Sequence, residues 1–220
     1  MSLQAMHSNT YLTEQPVSKS RDPSILADIY EEATNIAVWQ RERSISLKQA
    51  AAEFIEHNPL FQTSMTTSAE TALLALTEEL GDNPAGKKLS EDMAQIVDMF
   101  CYLFELKRVG LRLAVLSHAM CPRFHVDRVP CRLVTTYQGA ATQWLPNPVL
   151  DRTKLGHGNG GLPDNESGLY ASSADIQQLA AGDVAILKGE LWEGNEGSGL
   201  VHCSPNIDSP RLLLTLDFSQ

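Results

Sequence analysis

The stretch Cys121-Pro-Arg-Phe-His125-Val-Asp127 decides how the rest of this chain is interpreted. Alternate side chains of an extended segment share a face, so His125 and Asp127 point the same way, about 7 Å apart along the backbone. An imidazole and a carboxylate in this arrangement can bind one metal ion with a third ligand from elsewhere. His202, in Gly199-Leu-Val-His202-Cys-Ser-Pro205, is the candidate third ligand. We therefore expect a metal site formed by His125, Asp127 and His202.

The second half of the chain has the texture of a β-protein. Short apolar or alternating runs are separated by Gly, Pro, Asn and Asp, and they predict strands at Leu111–Leu116, Cys131–Tyr137, Thr142–Leu145, Val184–Lys188, Gly199–His202 and Arg211–Phe218. Six strands after a block of helices indicate an α+β protein. We expect residues 111–220 to form an antiparallel double-stranded β-helix, that is, a jelly-roll or cupin-like barrel with the metal site in it.

The first half of the chain shows helical patterns. The strongest helix is predicted from Ser90 to Arg108, where apolar residues recur with a period of 3.6. Shorter helices are predicted at Pro23–Glu32, Ser46–His57 and Ser68–Leu80. Residues 23–110 are thus expected to be a helical region that packs on the outside of the barrel. Residues 1–22 are polar and aperiodic, which is typical of a flexible tail.

The last strand has two different faces. Leu212, Leu214, Leu216 and Phe218 form a uniformly apolar face that should pack against a core. Arg211 lies on the other, mixed face, where a barrel can hold a small polar ligand. Its planar guanidinium suits a bidentate contact with a carboxylate. The alternative is an ordinary surface arginine on an edge strand.

The segment from Asp151 to Ser173 includes the glycine-rich run Gly156-His-Gly-Asn-Gly-Gly161. Phosphate-binding loops have similar glycines, but here no convincing strand precedes the run and no helix follows it. A long loop over the mouth of the barrel, serving as a lid, is the favoured interpretation.

Composition restricts the classes of function. The chain has 220 residues, with 17 Lys and Arg against 27 Asp and Glu, a net charge of −10. This balance argues against binding nucleic acid through its phosphates. No apolar run is long enough to span a membrane, and no secretion signal is visible at the N-terminus. The locally basic stretch Arg108, Arg112, Arg123, Arg128 and Arg132 is interpreted as ordinary strand and helix-end charge rather than an anion-binding patch.

Four cysteines, at positions 101, 121, 131 and 203, form no C-x-x-C pair and no regular disulfide framework. We interpret them as reduced thiols of a cytoplasmic protein.

Two resemblances add to this interpretation. The run Cys121-Pro-Arg-Phe-His125-Val-Asp127-Arg-Val-Pro-Cys131-Arg-Leu-Val-Thr-Thr-Tyr137, with Trp144-Leu145, His202-Cys-Ser-Pro205 and Arg211-Leu-Leu-Leu-Thr-Leu-Asp217, resembles the bacterial domain-of-unknown-function family 1826 from about Asn35 to Asp217. That resemblance implies an association with CobW-type GTPases and zinc homeostasis. The order His-x-Asp, distant His, then Arg nine residues later is similar to that of iron(II)- and 2-oxoglutarate-dependent oxygenases.

The oxygenase resemblance implies that His125, Asp127 and His202 bind Fe(II). It further implies that Arg211 holds the distal carboxylate of 2-oxoglutarate, with Tyr137 as a candidate for a second contact. The substrate, a small molecule or a side chain, is not specified. One alternative is a zinc protein without redox chemistry, in which Cys121, Cys131 or Cys203 would contribute thiolates. Another is a cupin-like structural domain whose site has lost its function.

Overall fold

The computed structural model of the protein describes residues 17–219. Ten strands lie along the chain at Ser18–Ser20 (β1), Ile36–Trp39 (β2), Gln62–Thr67 (β3), Val109–Leu116 (β4), Cys131–Gln138 (β5), Gln143–Leu145 (β6), Gln177–Gln178 (β7), Val184–Lys188 (β8), Val201–Cys203 (β9) and Arg211–Phe218 (β10). Three α-helices lie at Ile45–His57 (α1), Ala72–Leu80 (α2) and Pro84–Leu103 (α3). A 3₁₀ helix covers Pro23–Tyr30, and shorter 3₁₀ turns occur between β6 and β7. The fold is therefore α+β, as the sequence predicts.

The strands form two sheets. The large sheet has the order β1-β2-β8-β5-β10-β4-β3, and the small sheet has the order β7-β6-β9. All pairs are antiparallel except β1 with β2. From β4 onward the chain passes from the large sheet (β4, β5) to the small sheet (β6, β7), and then to β8 in the large, β9 in the small and β10 in the large sheet. The described residues form two open sheets, so the expectation of a closed barrel needs correction.

The helices cover one face of the large sheet. Leu212, Leu214 and Leu216 of β10 join a buried core with apolar residues of all three helices, so the predicted apolar face of the last strand is confirmed. The opposite face packs partly against the small sheet, through contacts such as Val134 and Ala185 with Trp144. The large sheet is therefore covered on both faces. The mixed face of β10 is the one directed toward the small sheet, into the space between the two sheets.

The division of the chain at residue 110 is not observed as predicted. Strands β2 and β3 lie within the supposed helical region and pair with β8 and β4. Both strands are short or polar, and the alternation of Gln62–Thr67 lacks an apolar face strong enough to identify it. Residues 23–110 are thus part of the large sheet as well as its helical cover. Of the predicted tail, residues 18–20 form β1, and residues 1–16 lie outside the described part of the chain.

The long helix starts earlier than its apolar period predicts. Asn83 caps α3 by accepting a hydrogen bond from the backbone N–H of Gly86, and Pro84 occupies the first turn. Gly86 is required because a Cβ there would lie 2.3 Å from the carbonyl oxygen of Gly81 at the end of α2. The Pro and Gly that look like turn residues therefore belong to a helix start packed closely on its neighbour. Within residues 17–219, no helix is long and apolar enough to cross a membrane.

Candidate metal and cofactor site

His125 and His202 lie directly opposite each other on neighbouring extended segments. The backbone N–H of each donates a hydrogen bond to the carbonyl oxygen of the other, at 3.0 and 2.9 Å. This isolated antiparallel bridge adds the His125 segment to the edge of the small sheet beside β9. The two imidazole rings are consequently neighbours, with their centroids 4.6 Å apart.

Asp127 completes a cluster of three potential ligands with these histidines. One ligand atom from each of the three residues lies within 4.8 Å of the other two. The Nε2 atom of His202 is 3.3 Å from Oδ2 of Asp127, and the Nε2 atom of His125 is 3.7 Å from Oδ1. The structure thus brings together the three residues that the sequence pattern singles out, although His202 follows Asp127 by 75 positions in the chain.

The ring orientation of both histidines favours coordination through Nε2. The Nδ1 atom of His125 is 2.9 Å from the carbonyl oxygen of Arg123, and Nδ1 of His202 is 3.1 Å from that of Leu200. A carbonyl only accepts hydrogen bonds, so each Nδ1 must carry the proton. The other nitrogen, Nε2, faces Asp127: when protonated it can donate to the Asp127 carboxylate, and when deprotonated it can present a lone pair to a metal ion.

Arg132 holds the carboxylate of Asp127. Its Nη1 donates to Oδ2 of Asp127 at 2.7 Å, while its Nε and Nη2 donate to the two carboxylate oxygens of Asp217 at 2.8 and 2.9 Å. Burial alone would raise the pKa of Asp127, but the hydrogen bond from His202 and the charges of His202, Arg132 and His125 lower it to about 2. Asp127 is therefore ionised at neutral pH, as a metal ligand must be.

Arg132 belongs to the candidate site, although the sequence pattern does not single it out. It was counted within a basic stretch of ordinary charge. Its role depends on the register that places it opposite Asp217, which is 85 residues away. The mixed face of β10 was the only signal available, since it carries Asp217 as well as Arg211.

Arg211 is buried at the start of β10 on the face directed toward the small sheet. It is 1% exposed, and its guanidinium donates only to the hydroxyls of Thr136 and Thr142, at 2.9–3.2 Å. Burial lowers its pKa to about 10, so it stays positively charged at neutral pH. No carboxylate of residues 17–219 pairs with it, although buried charges are normally paired. A buried, charged arginine satisfied only by hydroxyls is suited to receiving an anion.

The expectation for Tyr137 is corrected by its position. Tyr137 follows Thr136, and adjacent strand residues face opposite sides of a sheet. Its ring lies in the core beneath the helices, and its hydroxyl donates to Oδ2 of Asp92 at 2.6 Å. Tyr137 therefore faces away from the histidines, and Thr136 and Thr142 are the polar groups beside Arg211.

A cavity lies between the two sheets beside the cluster. It contains about 570 Å³ of space counted out to its open mouth. Both histidines and Arg132 line it together with Thr142, which is bonded to Arg211, and Thr215 of the same face of β10. The cavity thus extends from the two histidines to Thr142, the hydrogen-bond partner of Arg211.

The backbone approach of Gly189 fixes the position of the Asp127 segment. Gly189 follows β8, and its N–H donates to the carbonyl oxygen of Pro130 at 2.8 Å, while the N–H of Glu190 donates to that of Asp127 at 3.0 Å. A Cβ on residue 189 would lie 2.1 Å from the carbonyl oxygen of Val129 and 2.9 Å from that of Asp127. Only glycine allows this contact without moving the segment that carries Asp127.

The glycine-rich loop is connected to the site by Asp164. One carboxylate oxygen of Asp164 accepts from Nε of Arg123, and the other accepts from the backbone N–H of Phe124, both at 2.8 Å. The loop therefore fixes the residue immediately before His125. The ion pair between Asp164 and Arg123 holds the loop beside the His125 segment in this structure. Its role as a lid remains a prediction.

The cysteines do not join the cluster. Among the described residues, the group of potential ligands around Asp127 contains two histidines and no thiol. Cys131 is buried on the helical side of the large sheet, and Cys203 faces the opposite side of its strand from His202 and packs with Val201. Burial raises the pKa of Cys203 to about 12 and the pKa of Cys131 well above its usual range. Both are protonated thiols at neutral pH.

The arrangement described above defines an α+β protein with two facing sheets and a two-histidine, one-carboxylate cluster between them. The chain matches the family described as "Protein of unknown function (DUF1826)" over residues 20–217. It belongs to that family. No curated protein matches it in sequence.

Solved structures resemble the chain in fold. A dioxygenase for auxin oxidation from rice superimposes with a TM-score of 0.54 at 11% sequence identity, covering 92% of this chain and 82% of the rice protein. A prolyl-4-hydroxylase from Pseudomonas putida gives a TM-score of 0.48 at 10% identity, with coverages of 90% and 98%. Neurospora crassa T7H in complex with alpha-KG gives 0.49 at 10% identity, with coverages of 93% and 84%. The rice structure supports a common fold, and the other two scores are too low to carry an argument.

Proposed function

We propose that this protein is an iron(II)- and 2-oxoglutarate-dependent oxygenase. The observation that carries the proposal is that one cavity between the sheets is lined by both histidines of the His125–Asp127–His202 cluster and by Thr142, which accepts a hydrogen bond from the unpaired Arg211. Neither feature alone would suffice, because two histidines and a carboxylate also suit zinc. A buried cation with no acidic partner adds the requirement for an anionic ligand beside the metal.

The strand order supports a double-stranded β-helix as the framework. In the large sheet the order β4-β10-β5-β8 places the first strand of the set beside the last. In the small sheet the spatial order is the His125 segment, β9, β6 and β7, so here too the first segment of the set lies beside the last. This topology is proposed as the reason why residues 125 and 202 meet.

The donor set fits iron(II). Two neutral imidazoles and one carboxylate on a single side of an ion leave its other positions open, as in the facial triad of non-haem iron oxygenases. Bound iron(II) with 2-oxoglutarate would supply the chemistry that activates dioxygen and oxidises a substrate C–H bond. His125, Asp127 and His202 would hold the ion.

The chain's own residues would bind and orient the reactants. Arg211 would take the distal carboxylate of 2-oxoglutarate, and the hydroxyls of Thr136 and Thr142 would fix the orientation of its guanidinium. Arg132 would keep one oxygen of Asp127 occupied, which leaves the other oxygen for the metal. The apolar wall formed by Val134, Ala114 and Leu213 would limit access of water.

The test is anaerobic calorimetry of 2-oxoglutarate binding to the Mn(II)-loaded protein. We expect the wild type to bind 2-oxoglutarate. Arg211→Lys keeps the charge but loses the planar fork, so it should weaken binding by about 10- to 100-fold, the equivalent of one charged hydrogen bond. Metal affinity should be unchanged, because Arg211 is not a ligand.

Arg21→Lys is the control, since Arg21 forms an exposed ion pair with Glu42 near β1, at the edge of the sheet opposite β3. The oxygenase proposal fails if the wild type binds no 2-oxoglutarate at millimolar concentration. A zinc protein without redox chemistry predicts that result for wild type and variants alike.

A further inference from the structure

Arg112 is a second cation on the inner face of the large sheet, and it has no partner. It lies on β4 between Gly110 and Ala114, on the same side as Thr215 of β10, and it lines the cavity that contains His125 and His202. Its guanidinium forms no ion pair or hydrogen bond with any residue from 17 to 219. The side chain of Arg112 is exposed to solvent, so its guanidinium is accessible to an external anion.

The nearest carboxylate of the same face does not neutralise Arg112. Asp217 and Arg112 line one surface groove, but both carboxylate oxygens of Asp217 accept hydrogen bonds from Arg132. Arg132 in turn is shared with Asp127. Asp127 and Asp217 share Arg132, and Arg112 therefore has no carboxylate hydrogen-bonded to it.

Arg112 and Arg211 lie at different positions along the inner face of the large sheet. Arg112 pairs with Thr215, four residues along β10 from Arg211 and one strand across. At about 3.4 Å per residue and 4.8 Å per strand, the two backbone positions are about 14 Å apart. A five-carbon dicarboxylate held at Arg211 with its other end at the histidines would leave Arg112 unoccupied.

Strand β3 provides further polar groups beside Arg112. Ser64 lies directly opposite Arg112 in the β3–β4 pair, and both residues line the two grooves that lead away from the cavity. A hydroxyl beside a guanidinium is a donor pair suited to carboxylate or phosphate oxygens. Because β3 is the last strand of the sheet, this surface is open to solvent on its outer side.

We propose that Arg112, assisted by Ser64, binds an anionic group of the substrate. The substrate is thus an acid, carrying a carboxylate or a phosphate, with its reacting carbon directed toward the His125–Asp127–His202 cluster. This inference rests on the proposed oxygenase function for the role of the bound molecule. The anion site itself is defined by Arg112 alone and can be tested separately.

The experiment measures how Mn(II) in the cluster broadens the NMR signals of small probes, without oxygen and with saturating 2-oxoglutarate. Each charged probe has a neutral counterpart of similar size: glycerol phosphate with glycerol, and N-acetylglutamate with N-acetylglutamine. We expect at least one charged probe to bind near the metal and its neutral counterpart to bind at least about tenfold more weakly, as for loss of a charged hydrogen bond. The phosphate and carboxylate pairs distinguish the two anion chemistries.

Arg112→Gln should lower the affinity of that charged probe by about 10- to 100-fold and leave 2-oxoglutarate affinity unchanged. Arg112→Lys should retain part of the affinity, and Arg21→Gln, which removes the same charge near the opposite edge of the sheet, should retain all of it. The inference is overturned if no charged probe binds better than its neutral counterpart, or if binding survives in Arg112→Gln.

Failure of this inference differs from failure of the oxygenase proposal. If 2-oxoglutarate does not bind the wild type, the same titrations are made on the Mn(II) protein without it. Anion binding that still depends on Arg112 would then keep the anion site and reject the oxygenase. If 2-oxoglutarate binds but no probe binds in a way that depends on Arg112, the oxygenase proposal is kept and the anion site is rejected.

Discussion

Asp127 is the one carboxylate of the candidate metal site, and its two oxygens have different surroundings. Oδ2 accepts from Arg132 and faces His202, whereas Oδ1 faces the exposed side of His125. An oxygen already bonded to an arginine is a weaker metal ligand, so we expect Asp127 to bind through one oxygen. Metal binding should then depend on the negative charge of the Asp127 side chain as well as on its size and shape.

Asp127→Asn should therefore abolish metal binding while the protein stays folded. The side-chain amide of Asn has the same size as the carboxylate but no charge. It is therefore a much weaker ligand for a divalent metal ion. The measurement is Mn(II) titration followed by electron paramagnetic resonance, with circular dichroism to verify the fold. Asp208→Asn, at an exposed position, serves as the matched control and should bind as the wild type does. Unchanged Mn(II) affinity in Asp127→Asn would remove Asp127 from the site.

The direction of a side chain could be predicted from the sequence where it depends only on alternation along a single strand. Alternation along extended segments placed His125 with Asp127 and put Arg211 on the mixed face of β10. The same rule excludes Tyr137, which is adjacent to Thr136 and must face the other side. Arg132 could not be predicted, because its partner Asp217 is defined only by the pairing of β5 with β10.

At the scale of elements, strands with a strong apolar or alternating pattern were predicted well. Val184–Lys188 and Arg211–Phe218 have the predicted bounds. Strands β2 and β3 were missed, because β2 has four residues and β3 is polar on its open face. Helix α3 was predicted from its apolar stripe, but its first six residues contain Pro84 and Gly86, which normally indicate a turn.

The turn after β8 offers a test of how an element without ligands positions the site. Gly189→Ala should lower metal affinity by about 10- to 100-fold, the range observed when supporting residues of a metal site are altered. The added Cβ would push on the carbonyl oxygens of Val129 and Asp127 and move the Asp127 segment. Gly110→Ala is the control, since its Cβ would meet no atom closer than 3.8 Å.

The measurement for this pair of variants is again Mn(II) titration, with thermal unfolding recorded in parallel. We expect Gly110→Ala to keep its metal affinity. If Gly189→Ala also keeps it, the approach of β8 to the Asp127 segment does not position the ligand.

At the scale of the whole molecule, the ionised state of Asp127 links the site to folding stability. In the metal-free protein the pKa of Asp127 is lowered from 3.8 to about 2. A carboxyl group whose pKa is lower in the folded state stabilises the fold above its unfolded pKa and loses that contribution as the pH falls. The contribution should be about 2 kcal/mol at neutral pH and should decline from about pH 4 downward, through pH 2.

Urea unfolding of wild type and Asp127→Asn between pH 7 and pH 2.5, in the presence of a chelator, measures this contribution. The difference in unfolding free energy should narrow as the pH falls below about 4 and Asp127 becomes protonated. Asp208→Asn should show no such narrowing. A difference that stays constant down to pH 2.5 would mean that the pKa of Asp127 is not lowered.

Arg132 has a consequence for metal loading under the proposed function. Because this arginine pairs with Asp127 and with Asp217 of β10, protein contacts as well as a bound ion would hold the Asp127 carboxylate in place. A metal ion would then bind to a ligand that the fold itself positions. Occupancy would follow whichever divalent ion is abundant around the protein. The ion found after isolation would reflect the growth medium and the buffers, so an assay should begin by stripping it and restoring iron(II) under anaerobic conditions.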